Sequence, residues 1–170
     1  MSLDKNYFIY PVPNFSEHKN KLIKLIYEIP VNSLCSNEQR IYHQDYNLPP
    51  GFTRNYYKYF VDNIYPGYHL EFCDKTKTTI GLEHTWFQIY KKNDFHEWHI
   101  HGKCHFSNIF YINLPEGSVK TEIDNFGERF TAEIKEGDIL TIPSYWKHRS
   151  PINSYDEDKI IISFNSSVIV

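Results

Sequence analysis

The stretch His99-Ile100-His101-Gly102-Lys103-Cys104-His105-Phe106-Ser107-Asn108-Ile109-Phe110-Tyr111-Ile112-Asn113-Leu114 couples a His-x-His pair to a run of β-branched and aromatic residues. Successive side chains of a strand alternate between its two faces, so His99 and His101 are expected to point the same way and close on one metal ion. A third imidazole, His148, follows His101 by 47 residues, just beyond the turn-and-strand segment Gly137-Asp138-Ile139-Leu140-Thr141-Ile142-Pro143. A metal needs donors converging within about 2 Å of one point, and two facing strands of a rolled sheet can supply them where a local segment seldom can.

Outward from this stretch the same texture continues. Short alternating or β-branched segments at 68–73, 79–91, 97–101, 105–114, 118–124, 128–134, 138–142, 147–150 and 159–169 are separated by turn residues such as Asn93-Asp94, Asn125-Phe126-Gly127 and Glu136-Gly137-Asp138. Closely spaced strands with such punctuation predict a mainly β sandwich or jelly roll. Upstream, Ser16 is the expected N-cap of an amphipathic helix with Leu22, Leu25, Ile26 and Ile29 at helical spacing, ended by Pro30. Phe52, Tyr56, Tyr59, Phe60 and Ile64 predict a second helix closed by Pro66-Gly67, with 31–51 between them as irregular connection. Both helices are expected to pack outside the sheet. The expectation is one domain over 1–170, helical over 1–67 and β over 68–170.

Composition narrows the function. A net charge of −3 without a basic stripe argues against nucleic acid. No apolar run approaches membrane-spanning length, and Met1-Ser2-Leu3-Asp4-Lys5 lacks a signal-peptide core, so a cytoplasmic protein is expected. The odd set Cys35, Cys73 and Cys104 suits reduced thiols. Oligomeric state is open, a homodimer included.

The motifs resemble the cupin or double-stranded β-helix superfamily, whose two signatures run Gly-x5-His-x-His-x3-4-Glu and Gly-x5-Pro-x-Gly-x2-His-x3-Asn. Here they read Asn93-x5-His99-x-His101-x3-His105 and Gly137-x5-Pro143-x4-His148, with Asn153 one step beyond the usual Asn. Within the superfamily the chain is most similar to small 2-oxoglutarate- and Fe(II)-dependent oxygenases of phages and bacteria. The shared order is Trp86, His99-Ile100-His101, Ser107 to Tyr111, Gly137-Asp138, Pro143-Ser144, His148 and Ser163-Phe164-Asn165, over roughly residues 84–166.

The resemblance implies Fe(II) on His99, His101 and His148, 2-oxoglutarate as cosubstrate, and hydroxylation of an unactivated C–H bond in a substrate, small molecule or peptide, that the sequence does not identify. The far carboxylate of the oxoacid usually meets an Arg downstream of the distal His; Lys159, eleven residues after His148, stands there, with Ile161 in place of a usual Ser. Gln88 and Tyr111 are candidates for supporting hydrogen bonds to the oxoacid. Most of the wider class has Asp or Glu where His101 stands, and His105 falls on the cupin Glu position, so a four-histidine site with nickel, zinc or manganese is an alternative. The alternative reading is a cupin-type metalloprotein that uses its metal without 2-oxoglutarate, as a dioxygenase, an isomerase or a metal-stabilised binding domain.

Single histidines are ordinarily solvated or satisfied locally, the expectation for His18, His43, His69 and His84. Trp86, Trp98 and Trp146 are expected to pack. Asp94, Glu97 and Asp138 are expected to form turns, and Arg149 to face away from His148.

Overall fold

Whether a strand is buried on one face or two is legible in its burial pattern, and four strands here carry long runs of consecutive buried residues: β5 (Ile80–Tyr90), β7 (Phe106–Asn113), β10 (Asp138–Pro143) and β12 (Lys159–Val168). The computed structural model describes residues 7–49 and 51–170; the segment Met1 to Lys5 and Pro50, both read above, lie outside the described residues.

The first sheet runs β1-β10-β7-β12-β5-β4, with β1 at Phe8–Pro11 and β4 at His43–Gln44. The second runs β2-β3-β6-β11-β8-β9, from Leu34–Cys35, Gln39–Ile41, Phe95–His99, Lys147–Ser150, Glu122–Asn125 and Glu128–Thr131. Every pairing is antiparallel.

Three helices, α1 (Phe15–Tyr27), α2 (Asn55–Asn63) and α3 (Tyr65–Thr76), cover the other face of the first sheet. Alternation then sorts its side chains into two cores. Phe87, Ile89, Phe110, Ile162 and Phe164 pack with helix residues Leu22, Ile26, Phe60 and Phe72. Tyr90, Ile109, Tyr111, Leu140 and Ile161 pack toward Ile123 of the second sheet and Trp146 just before β11. The expected β architecture with outer helices is therefore what the chain adopts.

The elements depart from expectation in several places. Residues 68–73 form the middle of α3, not a strand. Pro66 lies in the first turn, where its missing N–H leaves no helical bond unmade, so Pro66-Gly67 opens a helix instead of closing one. Gly67 also lets α3 approach β1, since a Cβ there would lie 2.6 Å from the Tyr10 hydroxyl. The helical layer thus extends to Thr76, beyond the expected boundary at 67.

Helix α1 is preceded by Asn14 in the left-handed region (φ 52°), and Ser16 sits inside the helix. Residues 31–51 contain β2, β3 and β4. Strand β1 was hidden by Pro11, which an edge strand tolerates.

Candidate metal centre and its cleft

Strands β6 and β11 run side by side, with His148 opposite His99 and Ser150 opposite His96. Two steps along β11 therefore match three along β6, a β-bulge at Glu97-Trp98. The extra residue resets the alternation, so His96 and His99 turn to the same side. Beyond the strand, the His101 backbone N–H donates to the Ser144 carbonyl (3.1 Å), fixing the chain where it leaves the sheet.

The outcome is a group of three imidazoles, His99, His101 and His148, whose ligand atoms all lie within 4.8 Å of one another. Ring centroids are 4.3 Å apart for His99 and His148, 5.0 Å for His101 and His148 and 5.4 Å for His99 and His101. The His99 Nδ1–H donates to the Glu97 carbonyl (2.7 Å), that of His148 to the Trp146 carbonyl (3.2 Å) and that of His101 to Asn165 Oδ1 (2.7 Å). A carbonyl oxygen can only accept, so each Nδ1 carries the proton and each Nε2 keeps its lone pair for a cation.

Burial keeps these rings neutral. It pushes His99 down to about 4, against the bond to Glu97, and lowers His101; His148, almost wholly enclosed, is held well below its ordinary value by burial and then by its imidazole neighbours. Neutral imidazole is the form a metal binds.

His96, which the sequence reading missed, stacks on His99 with centroids 3.8 Å apart and planes 13° from parallel. Burial, then the neighbouring imidazoles, lower it to about 3. Strict alternation from His99 would aim it at the opposite face, so no local signal reveals it. Asn165 belonged to a quoted motif without a role there; it now holds His101. His105 lies outside the group: it is exposed, and its Nδ1 accepts the Val168 N–H (3.2 Å).

Behind the imidazoles a narrow inner cleft of about 30 Å³ runs between the sheets, lined by Gln88, Tyr90, Thr121, Ser150 and Ser163 among others. Gln88 Oε1 accepts the Ser163 hydroxyl at 3.4 Å. Tyr111 is fully buried and donates to Thr121 Oγ1 (2.8 Å), so Thr121, not Tyr111, borders the cleft.

Lys159 is 0% exposed on a central strand. Its Nζ donates to the Val119 carbonyl and the Ser150 hydroxyl, both at 3.0 Å, and burial lowers the ammonium to about 7. Among the described residues no carboxylate pairs with it. It is shielded from bulk water, and the Tyr90 ring lies 5.5 Å from its Nζ.

The remaining residues are structural. His43 bridges the Ile29 carbonyl and the Asn32 N–H, His69 meets the Ile80 carbonyl and His18 the Tyr59 hydroxyl. Asp94 accepts the Tyr42 and Lys91 N–H groups at its turn, and Asp138 accepts that of Lys135. Arg149 turns away from His148 to Glu122 and the Trp98 ring. Trp146 packs in the inter-sheet core, but Trp86, also buried, borders the histidines, 5.4 Å from the His101 ring.

No family model and no curated protein matches this sequence. Solved structures do match. An oxidoreductase of the 2OG-Fe(II) oxygenase family from Burkholderia pseudomallei superposes with a TM-score of 0.74 over 95% of this chain and 85% of that one, at 11% identity. A viral collagen prolyl hydroxylase from Paramecium bursaria Chlorella virus-1, in complex with 2OG, has a TM-score of 0.64 over 98% of both chains, at 16% identity. HygX from Streptomyces hygroscopicus, with nickel, 2-oxoglutarate and hygromycin B bound, gives 0.66 over 96% of this chain and 83% of that one, at 10% identity. What these likenesses establish is the fold: the chain is a double-stranded β-helix with helices packed outside, the architecture it shares with those three proteins.

Proposed function

We propose that this protein is a non-haem Fe(II)- and 2-oxoglutarate-dependent oxygenase that hydroxylates its substrate, acting as a single domain in the cytoplasm, where its three unpaired thiols are at home. One observation carries the reading: three neutral imidazoles with free Nε2 atoms share a cleft with Ser150, whose hydroxyl accepts from the buried Lys159, an ammonium that pairs with no carboxylate among the described residues. An uncompensated buried ammonium costs several kcal/mol. An anionic cosubstrate reaching the Ser150 side of the cleft would relieve that cost, while its oxoacid end lay beside the histidines.

The residues present fit both groups. His99, His101 and His148 would hold Fe(II); Lys159, with the hydroxyls of Ser150 and Thr121, would meet the far carboxylate, and Gln88 would support the oxoacid. Bound Fe(II) would activate dioxygen, the oxidant, with 2-oxoglutarate giving up two electrons as it is decarboxylated to succinate and the substrate C–H bond giving the other two. The chain's own part is to orient the imidazoles through Glu97, Trp146 and Asn165 and to exclude water. The cleft as it stands has room for about one water. The cosubstrate must therefore widen it or extend into the outer pocket, which shares Trp86, Gln88 and His99.

A second reading has one observation in its favour. The ligand group contains no carboxylate, and an all-imidazole set also suits nickel, zinc or manganese used without an oxoacid. Anaerobic addition of Fe(II) and 2-oxoglutarate separates the two. A visible charge-transfer band that is lost in Lys159→Ala supports the oxygenase; metal uptake with no spectral response to the oxoacid supports the second reading.

A further inference from the structure

His96 lies against His99, its ring 3.8 Å away and within 13° of parallel, and it lines both the inner cleft and the outer pocket. Parallel planes at that spacing cannot both contain one ion. The lone pair of His99 points in the plane of its own ring, so a metal bound there lies out of the plane of His96. His96 is accordingly not one of the grouped ligands. It stands beside the metal position without serving as a ligand.

Stacking alone does not account for an imidazole at this position. Each ligand ring anchors its Nδ1 on a protein oxygen, whereas neither ring nitrogen of His96 has a hydrogen-bond partner among the described residues. A neutral imidazole carries one N–H, and a donor left unpaired away from bulk water is costly; phenylalanine would stack on His99 without that cost. The strand register says what the donor can meet. His148 lies opposite His99 at the metal end, and Ser150, whose hydroxyl accepts from Lys159, lies opposite His96. The His96 ring leans back from that point over His99. An oxoacid reaching from the three ligands to Lys159 therefore passes His96.

We propose that His96 donates its N–H to the oxoacid carboxylate next to the ketone, holding that end beside the metal while Lys159 meets the far carboxylate. This inference rests on the oxygenase reading given above. A hydrogen bond to an ionised acceptor is among the stronger kind, so deleting the N–H is expected to weaken oxoacid binding by about ten-fold or more.

The test is anaerobic titration of oxoacids into the Fe(II)-saturated full chain, followed by the charge-transfer band, in wild type, His96→Phe and His96→Gln. Phenylalanine keeps the stack and removes the N–H; glutamine keeps an N–H and removes the ring. His96→Phe should lose about ten-fold or more in affinity for 2-oxoglutarate, and by the same factor for 2-oxobutyrate, which has the oxoacid end and no far carboxylate. His96→Gln should stay within about three-fold of wild type, and metal affinity, read by competition with a chelator, should change by no more than that in either variant. Unchanged oxoacid affinity in His96→Phe, an equal loss in His96→Gln, or a loss for 2-oxoglutarate that vanishes with 2-oxobutyrate overturns the assignment. A second measurement needs no stable phenylalanine variant. In nitrogen-edited NMR of the zinc-loaded wild type, a ring N–H signal missing from His96→Gln should become protected from solvent exchange when 2-oxoglutarate is added; continued fast exchange overturns the assignment as well. A wild type that gives no band rejects the oxygenase reading and this assignment with it, whereas a wild-type band with any of the contrary results rejects the assignment alone.

Discussion

Replacing Lys159 by methionine should stabilise the metal-free protein at pH 7. The ammonium is fully buried, makes two neutral hydrogen bonds and meets no carboxylate among the described residues, and burial lowers it from 10.5 to about 7. At about 1.4 kcal/mol per unit, that shift corresponds to a cost of roughly 5 kcal/mol while the charge is retained. Methionine fills similar volume without charge but leaves the Val119 carbonyl without this donor, which returns about 1–2 kcal/mol. A net gain of about 3 kcal/mol is expected.

The pH dependence has a definite sign. The unfolded lysine loses its proton near 10.5 and the folded one near 7, so between these values the unfolded chain binds more protons and stability rises with pH. Below about pH 7 the full cost is present. Urea unfolding at pH 7 and pH 9 should therefore show the difference between variant and wild type shrinking by about 2–3 kcal/mol. A variant less stable than wild type at pH 7, or a difference independent of pH, would refute the picture of an uncompensated buried charge.

Four further outcomes follow from the same geometry. His148→Ala should abolish stoichiometric metal uptake while His105→Ala leaves it intact, as read by metal analysis after dialysis; retained metal in the first variant contradicts the centre. Asn165→Leu frees the His101 Nδ1 and should weaken metal affinity by about 10–100-fold without removing a ligand, measured by competition with a chelator. Affinity for 2-oxoglutarate should weaken as pH rises above about 7, by up to about ten-fold per unit, because the carboxylate needs Lys159 protonated; calorimetry in buffers of different ionisation enthalpy should detect the proton taken up. Gly137→Ala should cost about 2–4 kcal/mol in urea unfolding, since φ is +87° and the added Cβ would lie 2.8 Å from the Phe15 ring.

Alternation and turn residues made much of the β-helix readable in one dimension. Strands such as 79–91 and 138–142 differ from β5 and β10 by a residue or so, because alternation and β-branching are local properties. The turn expected at Asn93-Asp94 is present, with Asn93 in the left-handed region (φ 69°). His99, His101 and His148 were readable from spacing alone, although His101 lies just past its strand and is aimed by Ser144 and Asn165, not by alternation.

Tertiary packing decided the rest. Tyr68 and Phe72 are compatible with either a strand or a helix, and burial against the first sheet made them α3. The short strands at 34–44 exist only because β5 and β6 are there to pair with them. His96 entered the site because three residues of β6 faced two of β11, a mismatch that belongs to a pair of strands and is written in neither. The sequence puts Lys159 on a strand but does not determine its surroundings; only its place on a central strand seals the ammonium in the interior, with no carboxylate partner among the described residues. Residue types and spacing could determine which side chains were available for chemistry, while dielectric environment and partnership are properties of the folded interior.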